Sequence, residues 1–403
     1  MLNPDAALEI ILSSVPRLEA ERIPLRDCLG RVLAEDVRAD DDIPPFDNSA
    51  MDGFAVIAED TQGASKENPR RLRIIADQPA GVVITEPVTP GDAVKIMTGA
   101  PIPPGANAIV VVEDTDSQGG EVIVYREAPL GANVRRAGED VRRGQVVLRT
   151  GARIGPAEMG MLASVGVTEV PVFRKPRAAI ITTGDELVDA SARPGPGQIR
   201  NGNQYSLLGE ALQASAEVSL LERVRDDKAE IEQALTRAAA SSDLVIVCGG
   251  VSVGEHDYVK DVLAKLGEMR FWQVSMKPGK PLVFGHIDSK PVFGLPGNPV
   301  SCMVTFDIFV RPAIQRMTGA EEGGLVVVSG ILTDDVRHKP DRRDFVRAVT
   351  VWTEDGYSAR PIPKHSSGML SSMVEANSYA VIREGTGDAH AGDRVEIMLF
   401  PGF

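Results

Sequence analysis

The segment Ile246-Val247-Cys248-Gly249-Gly250-Val251-Ser252-Val253-Gly254-Glu255-His256-Asp257 brings an anion site and a carboxylate site into one turn. Leu244 to Cys248 predict a short buried strand, and the two glycines then release the chain into conformations that side chains resist. Backbone amides there can approach a phosphate closely. Glu255 and Asp257 follow where a helix is expected from about His256, so fixed partial positive charge lies beside carboxylates able to hold a divalent cation. A phosphorylated or oxyanion ligand accompanied by a metal suits this set. A tight strand-to-helix turn with solvated acids reads the same residues without any ligand.

Other polar turns join it. Thr182-Thr183-Gly184-Asp185-Glu186-Leu187 ends a strand in hydroxyls and two carboxylates, and Arg225-Asp226-Asp227 ends the next, with Asp226 placed to cap the helix from Lys228. Lys277-Pro278-Gly279-Lys280-Pro281 supplies two lysines on a rigid turn. Leu295-Pro296-Gly297-Asn298-Pro299-Val300-Ser301 supplies amides at a helix start, and together they form a phosphate or oxyanion cradle. Asp47-Asn48-Ser49-Ala50-Met51-Asp52-Gly53 and Met97-Thr98-Gly99-Ala100 present acids, an amide and hydroxyls from loops, where Asx or ST turns are the plain alternative. The five histidines show no metal-ligand spacing, and no nucleophile elbow or Ser-His-Asp order is present.

The elements that position these turns follow from pattern. At 403 residues the chain predicts several domains, and 43% hydrophobic with 25% charged residues is ordinary for a soluble globular protein. Pro4-Asp5 with Leu8, Ile11, Leu12 and Val15 predicts an amphipathic opening helix. Short β-like runs separated by Gly, Pro, Asp and Asn fill residues 46–136, while 153–170 is expected to return and pack on the opening helix, making the β module an insertion. From Lys175 the order strand, glycine turn, helix recurs and predicts a parallel, right-handed α/β sheet covered on both faces, with ligands beyond the carboxyl ends of its strands. A helix from Val300 to Met317, kinked at Pro312, leads through a Gly-rich linker to a second β region over the last eighty or so residues. The expected units are thus 1–45 with 137–174, 46–136, 175–320 and 321–403.

A formal charge of −14 opposes non-specific nucleic-acid or anionic-membrane binding. Cys28, Cys248 and Cys302 make no disulfide framework, and neither an export signal nor a membrane span is read, so the cytoplasm is the expected compartment.

Taken in order along the chain, these motifs, with Val134-Arg135-Arg136-Ala137-Gly138-Glu139-Asp140 between them, resemble the molybdopterin molybdenumtransferases, the MoeA proteins and the related E domain of gephyrin. The resemblance implies a four-part elongated subunit with a molybdopterin-binding α/β unit. It also implies a homodimer whose cleft joins the α/β unit of one chain to the β module of the other. The implied reaction turns adenylated molybdopterin and molybdate into molybdenum cofactor and AMP, with Mg2+ as the divalent ion and an adenylyltransferase as a possible partner delivering substrate. Asp52, Thr98, Asp140, Glu186, Asp226 and Asp257 would be the catalytic set, with Glu186, Asp226 and Asp257 holding the metal. Gly249, Gly250, Ser252, Gly254, Pro296, Gly297, Asn298 and Pro299 would cradle the substrate, Lys277, Lys280 and Ser301 would neutralise anions near the dithiolene, and Arg347 and Ser371 would meet molybdate. Two departures stand out: Gln273 where relatives carry Lys, and Gly202 where a hydroxyl residue is usual, leaving Asn203 as the binding residue. A carrier or scaffold without turnover, and a single-domain adenylyltransferase, are the alternatives; the intact acids and the chain length weigh against them.

Overall fold

Apolar and β-branched runs between residues 53 and 124 pair into one six-stranded sheet in the order Ala108–Val111, Gly53–Val56, Asp92–Ile96, Arg70–Gln78, Glu121–Val124, Thr115–Gln118. The computed structural model describes residues 1–251, 258–320, 323–363 and 366–402. All pairings in this sheet are antiparallel except Arg70–Gln78 with Asp92–Ile96. The chain enters and leaves the sheet through a small core in which Leu33, Val37, Ile154, Leu162 and Val172 are buried together. Ala20–Pro24 pairs with Glu169–Phe173 there, so strands close the insertion.

The opening helix, Pro4–Ser14, goes elsewhere. Ala7, Ile11 and Val15 join the core of the α/β unit, against the helix Arg311–Met317, which corrects the expectation that residues 153–170 would cover it. Arg343 fixes the helix's first turn through Asp5 at 2.6 and 2.7 Å.

In the α/β unit the strands are ordered Glu217–Val224, Arg177–Thr183, Leu244–Cys248, Lys290–Leu295, Pro281–Ile287, Glu268–Gln273. The first four are parallel and the last two antiparallel, so the wholly parallel sheet expected from the pattern is extended by a hairpin. Its turn, Asp288-Ser289, has φ of 47° and 66°, the twist-matching geometry of a tight hairpin, yet carries no glycine to announce it. Leu244–Cys248 is buried throughout, because helices cover both faces: Gly202–Gln213 and the helix from Pro299 on one, Lys228–Ser241 and Tyr258–Leu266 on the other. The chain steps to opposite sides of Arg177–Thr183 for its second and third strands, which opens a crevice at the carboxyl ends of Arg177–Thr183 and Leu244–Cys248.

Pro312 does not end its helix. Helical backbone runs from Pro299 to Met317 with one wide π turn, Phe306–Val310, immediately before the proline. The wider turn accommodates a residue that has no amide to donate and whose ring crowds the preceding turn. The last region closes into a five-stranded barrel, because Arg343–Thr353 pairs with both Gly356–Pro361 and Ser378–Ile382. Met276–Lys277, a strand of the α/β region, adds to its edge in parallel with Arg343–Asp344.

Asp243 ties the connection to the α/β sheet. It is 3% exposed and accepts from Arg174 at 2.6 and 2.8 Å and from the Arg177 amide at 2.8 Å. Burial alone would push its carboxyl up, but these donors hold it below the usual 3.8. Asp243→Ala should cost about 3 kcal/mol by stranding the buried donors. A lowered carboxyl stabilises fully above about pH 4 and loses its effect as pH falls through the folded value. The gap in melting temperature between wild type and variant should therefore be wide near neutrality and narrow in acid; a gap independent of pH contradicts this role.

Candidate functional site

At the crevice between the first and third parallel strands lies a cavity of about 190 Å3 lined by Thr183, Glu186, Asn203, Cys248, Gly297 and Pro299, among others. Gly249 forms its turn at φ 101°, and a Cβ there would sit 2.6 Å from the Thr183 carbonyl oxygen, so only glycine brings the two strand ends this close. The Gly249 amide, expected to meet phosphate, already donates to Leu295 O at 3.0 Å and is corrected to a structural bond. Thr183 instead offers a buried hydroxyl with no hydrogen-bond partner among the described residues. Asn203 Nδ2 donates to Gly297 O at 2.7 Å, pinning the turn at the start of the helix Pro299–Thr305. Pro296 is buried behind that turn, its carbonyl 3.5 Å from Cys248 Sγ, while Asn298 is exposed at the helix cap.

The acidic loops partly meet. Glu186 is exposed at the cavity wall, and the Asp226 amide donates to Asp185 Oδ1 at 3.3 Å, which joins the two loops. Asp226 does not cap the following helix. Asp227 does, accepting from the amides of Ala229 and Glu230 at 3.0 and 2.9 Å, so Asp226 keeps its carboxylate free of that duty. Asp257, Ser252 and Gly254 lie outside the described residues. Among the described residues no three His, Cys, Asp or Glu side chains are grouped to hold a metal; the available donors, exposed carboxylate oxygens, are of the hard type that Mg2+ takes.

A second cavity, of about 250 Å3, lies where the α/β unit meets the barrel. It gathers Lys277, Lys280, Ser301, Arg347, Asp344 and Ser367. Lys277 Nζ is 3.0 Å from Asp344 Oδ2, and Lys280 makes no ion pair among the described residues. Arg347 is 3% exposed, and its Nε donates to Ser372 Oγ at 3.1 Å. Burial lowers its pKa from the usual guanidinium value, and a guanidinium remains charged at any working pH. Ser371, expected beside Arg347, is exposed at the start of a short helix, and its neighbour Ser372 takes that bond: on Ser371–Glu375 adjacent residues face different ways. Pro299 lines one cavity and Ser301 the other, so the first turn of a single helix separates them.

In the β module, the Thr98 amide and hydroxyl both donate to Asp52 Oδ1 at 2.7 Å, and the amide bond first of all holds Asp52 below its usual 3.8. Asp140 is exposed, and shortly before it in the chain Arg136 pairs with Asp47 at 2.6 Å. None of Asp52, Thr98 and Asp140 lines either cavity of its own chain.

Three family models match in succession: the MoeA N-terminal region (domain I and II) over residues 2–166, a probable molybdopterin binding domain over 179–316, and the MoeA C-terminal region (domain IV) over 329–400. The chain belongs to the MoeA family. It is 37% identical over 386 residues to the molybdopterin molybdenumtransferase of Bacillus subtilis, covering 94% of this chain and 90% of that protein. It is 36% identical over 404 residues to that of Haemophilus influenzae, covering 99% of each. The crystal structure of the molybdopterin biosynthesis moeA protein from Pyrococcus horikoshii superposes with a TM-score of 0.88 at 36% identity, over 99% of this chain and 100% of that one. Within this MoeA fold, sequence reasoning named Thr183 only as part of a polar turn and missed Ser372 and Asp344. The first was visible as a hydroxyl at a strand end; the other two depend on barrel contacts remote in sequence.

Asp344 neutralises Lys277 at the cavity wall. Asp344→Asn should therefore tighten binding of a tetrahedral dianion there by about tenfold. Calorimetric titration with sulfate checks this, and unchanged affinity removes Lys277 from the anion-binding set.

Proposed function

We propose that this chain is an enzyme of molybdenum cofactor synthesis that inserts molybdenum into molybdopterin, using adenylated molybdopterin and molybdate and releasing AMP. One observation carries the reading: on a protein of net charge −14, four cationic side chains, Lys277, Lys280, Arg342 and Arg347, and a helix start surround one cavity, and the same helix start borders a second cavity at the sheet's switch point. Molybdate is a dianion and the diphosphate and dithiolene beside it are anionic, so their approach requires concentrated positive charge. Lys277, Lys280 and Arg347, with Ser301, hold and orient molybdate. Thr183, Gly250, Asn203 and the Gly297 turn hold the phosphate end, with Ser252 and Gly254 completing the loop. Glu186, Asp226 and Asp257 would hold Mg2+, which when bound offsets charge on the diphosphate.

Asp52, Thr98 and Asp140 act from a second copy of the chain. Their absence from both cavities of their own chain supports a homodimer in which the β module of one subunit faces the α/β unit of its partner. The Thr98 bonds keep Asp52 ionised and oriented for that role. An adenylyltransferase delivers the substrate, and the enzyme works in the cytoplasm; among the described residues no helix is long and apolar enough to cross a membrane.

AMP release from adenylated molybdopterin, followed with and without molybdate, tests the reaction: molybdate-dependent release is expected, and binding without release makes the chain a carrier. Lys280→Ala should raise the molybdate requirement at least about tenfold while leaving adenylate binding nearly unchanged. Ser372→Ala should raise it more than Ser371→Ala, and the reverse order would separate Arg347 from molybdate.

A further inference from the structure

Two of the three cysteines meet at the wall of the cavity at the sheet's switch point. Cys248 ends its strand immediately before the Gly249 turn and lines that cavity, while Cys302 stands in the first turn of the helix Pro299–Thr305, one residue beyond Ser301. Both thiols are free, and Cys302 Sγ donates to Cys248 Sγ across 3.4 Å. Sequence gives no hint of this pair, since the two residues are far apart in the chain and meet only because the helix start folds over the strand end.

The two sulfurs differ in what they face. Cys302 is fully buried, and its bond to Cys248, then its burial, push the thiol well above its usual value, so it stays protonated and shielded. Cys248 is on the cavity side: its Sγ accepts from Asn203 Nδ2, a neighbouring wall residue, at 3.2 Å. A small oxidant in the cavity therefore reaches Cys248 first, with Cys302 directly behind it. Cys28 is just as buried, but it belongs to the small core with Leu33 and Ile154 and lines neither cavity.

We propose that Cys248 and Cys302 form a reversible redox site, at which a peroxide entering the switch-point cavity converts the pair to a disulfide and so closes that cavity to substrate. In the first step the Cys248 sulfur attacks one peroxide oxygen; an S–O bond forms, the O–O bond breaks, and the leaving hydroxide departs as water with the thiol proton. In the second the Cys302 sulfur attacks Cys248; the S–S bond forms, the S–O bond breaks, and the leaving hydroxide takes the Cys302 proton as a second water. Two thiols are oxidised and one peroxide is reduced. The sulfurs close from 3.4 Å to about 2 Å, which ties the strand end covalently to the helix start, two walls of the same cavity. In a reducing compartment, disulfides are mostly of this transient, sensing kind. That closure stops turnover rests on the function proposed above for this cavity; the formation of the disulfide does not.

Full-length protein treated with hydrogen peroxide, then unfolded and alkylated, should fall from three free thiols to one, with a peptide joining Cys248 to Cys302, and dithiothreitol should restore all three. Molybdate-dependent AMP release should be lost and regained with the same two reagents. In Cys302→Ala no cross-link should form, and dimedone should trap the sulfenic acid on Cys248. Three thiols remaining after peroxide, a bond between chains, oxidation of Cys28 as fast as the pair, or no dimedone adduct on Cys248 overturns the site. AMP release unchanged by a fully formed bond overturns its control of the cavity. A reduced protein that releases no AMP refutes the proposed reaction instead, and the thiol count on wild type still decides the redox site.

Discussion

A two-residue ladder holds the functional architecture together. Met276–Lys277 leaves the α/β unit and pairs in parallel with Arg343–Asp344 of the barrel, so a lysine and its countercharge are set by backbone hydrogen bonds of two otherwise separate units. The same segment of the barrel carries Arg343, locked to Asp5 and Glu384, and Arg347, locked to Ser372. One strand thereby fixes the opening helix, the lysine turn and the buried guanidinium at once. Without that pairing, Lys277 would lose the register that sets it beside Asp344, and the lysine turn would no longer be held against the barrel near Arg347.

The electrostatic logic is local concentration against a contrary background. The chain as a whole repels anions, yet the junction between the α/β unit and the barrel collects basic side chains whose acidic neighbours are individually accounted for. Burial strengthens what remains: a guanidinium at 3% exposure keeps its charge and is weakly screened, so it acts on a ligand far more strongly than the exposed arginines elsewhere.

Much of the fold was legible because its strongest signals are periodic. Leu244–Cys248 and Lys228–Ser241 run within a residue or so of where apolar runs and helical spacing put them, since strands buried on both faces and amphipathic helices each leave an unmistakable pattern. The antiparallel extension was hidden because Asp288-Ser289 reaches a tight hairpin geometry without Asn-Gly or glycine. The opening helix announced an apolar face but could not say which surface would receive it. At the site, residue type alone picked out the lysine turn and the Gly297 turn, and both line cavities. Ser372 over Ser371, Asp227 over Asp226 and the commitment of the Gly249 amide were not, because each is decided by the direction one group points, and one residue's shift reverses it.

The helical rod from Pro299 to Met317 begins between the two cavities and, at its widened turn, presents Asp307 to Tyr379 of the barrel at 2.9 Å while Arg311 balances the charge at 2.7 Å. Both cavities thus border the first turn of one helix, whose later turn is tied to a buried tyrosine of the barrel. Pro299 and Ser301 ride on one turn, so a displacement of that helix end would reach both cavities together.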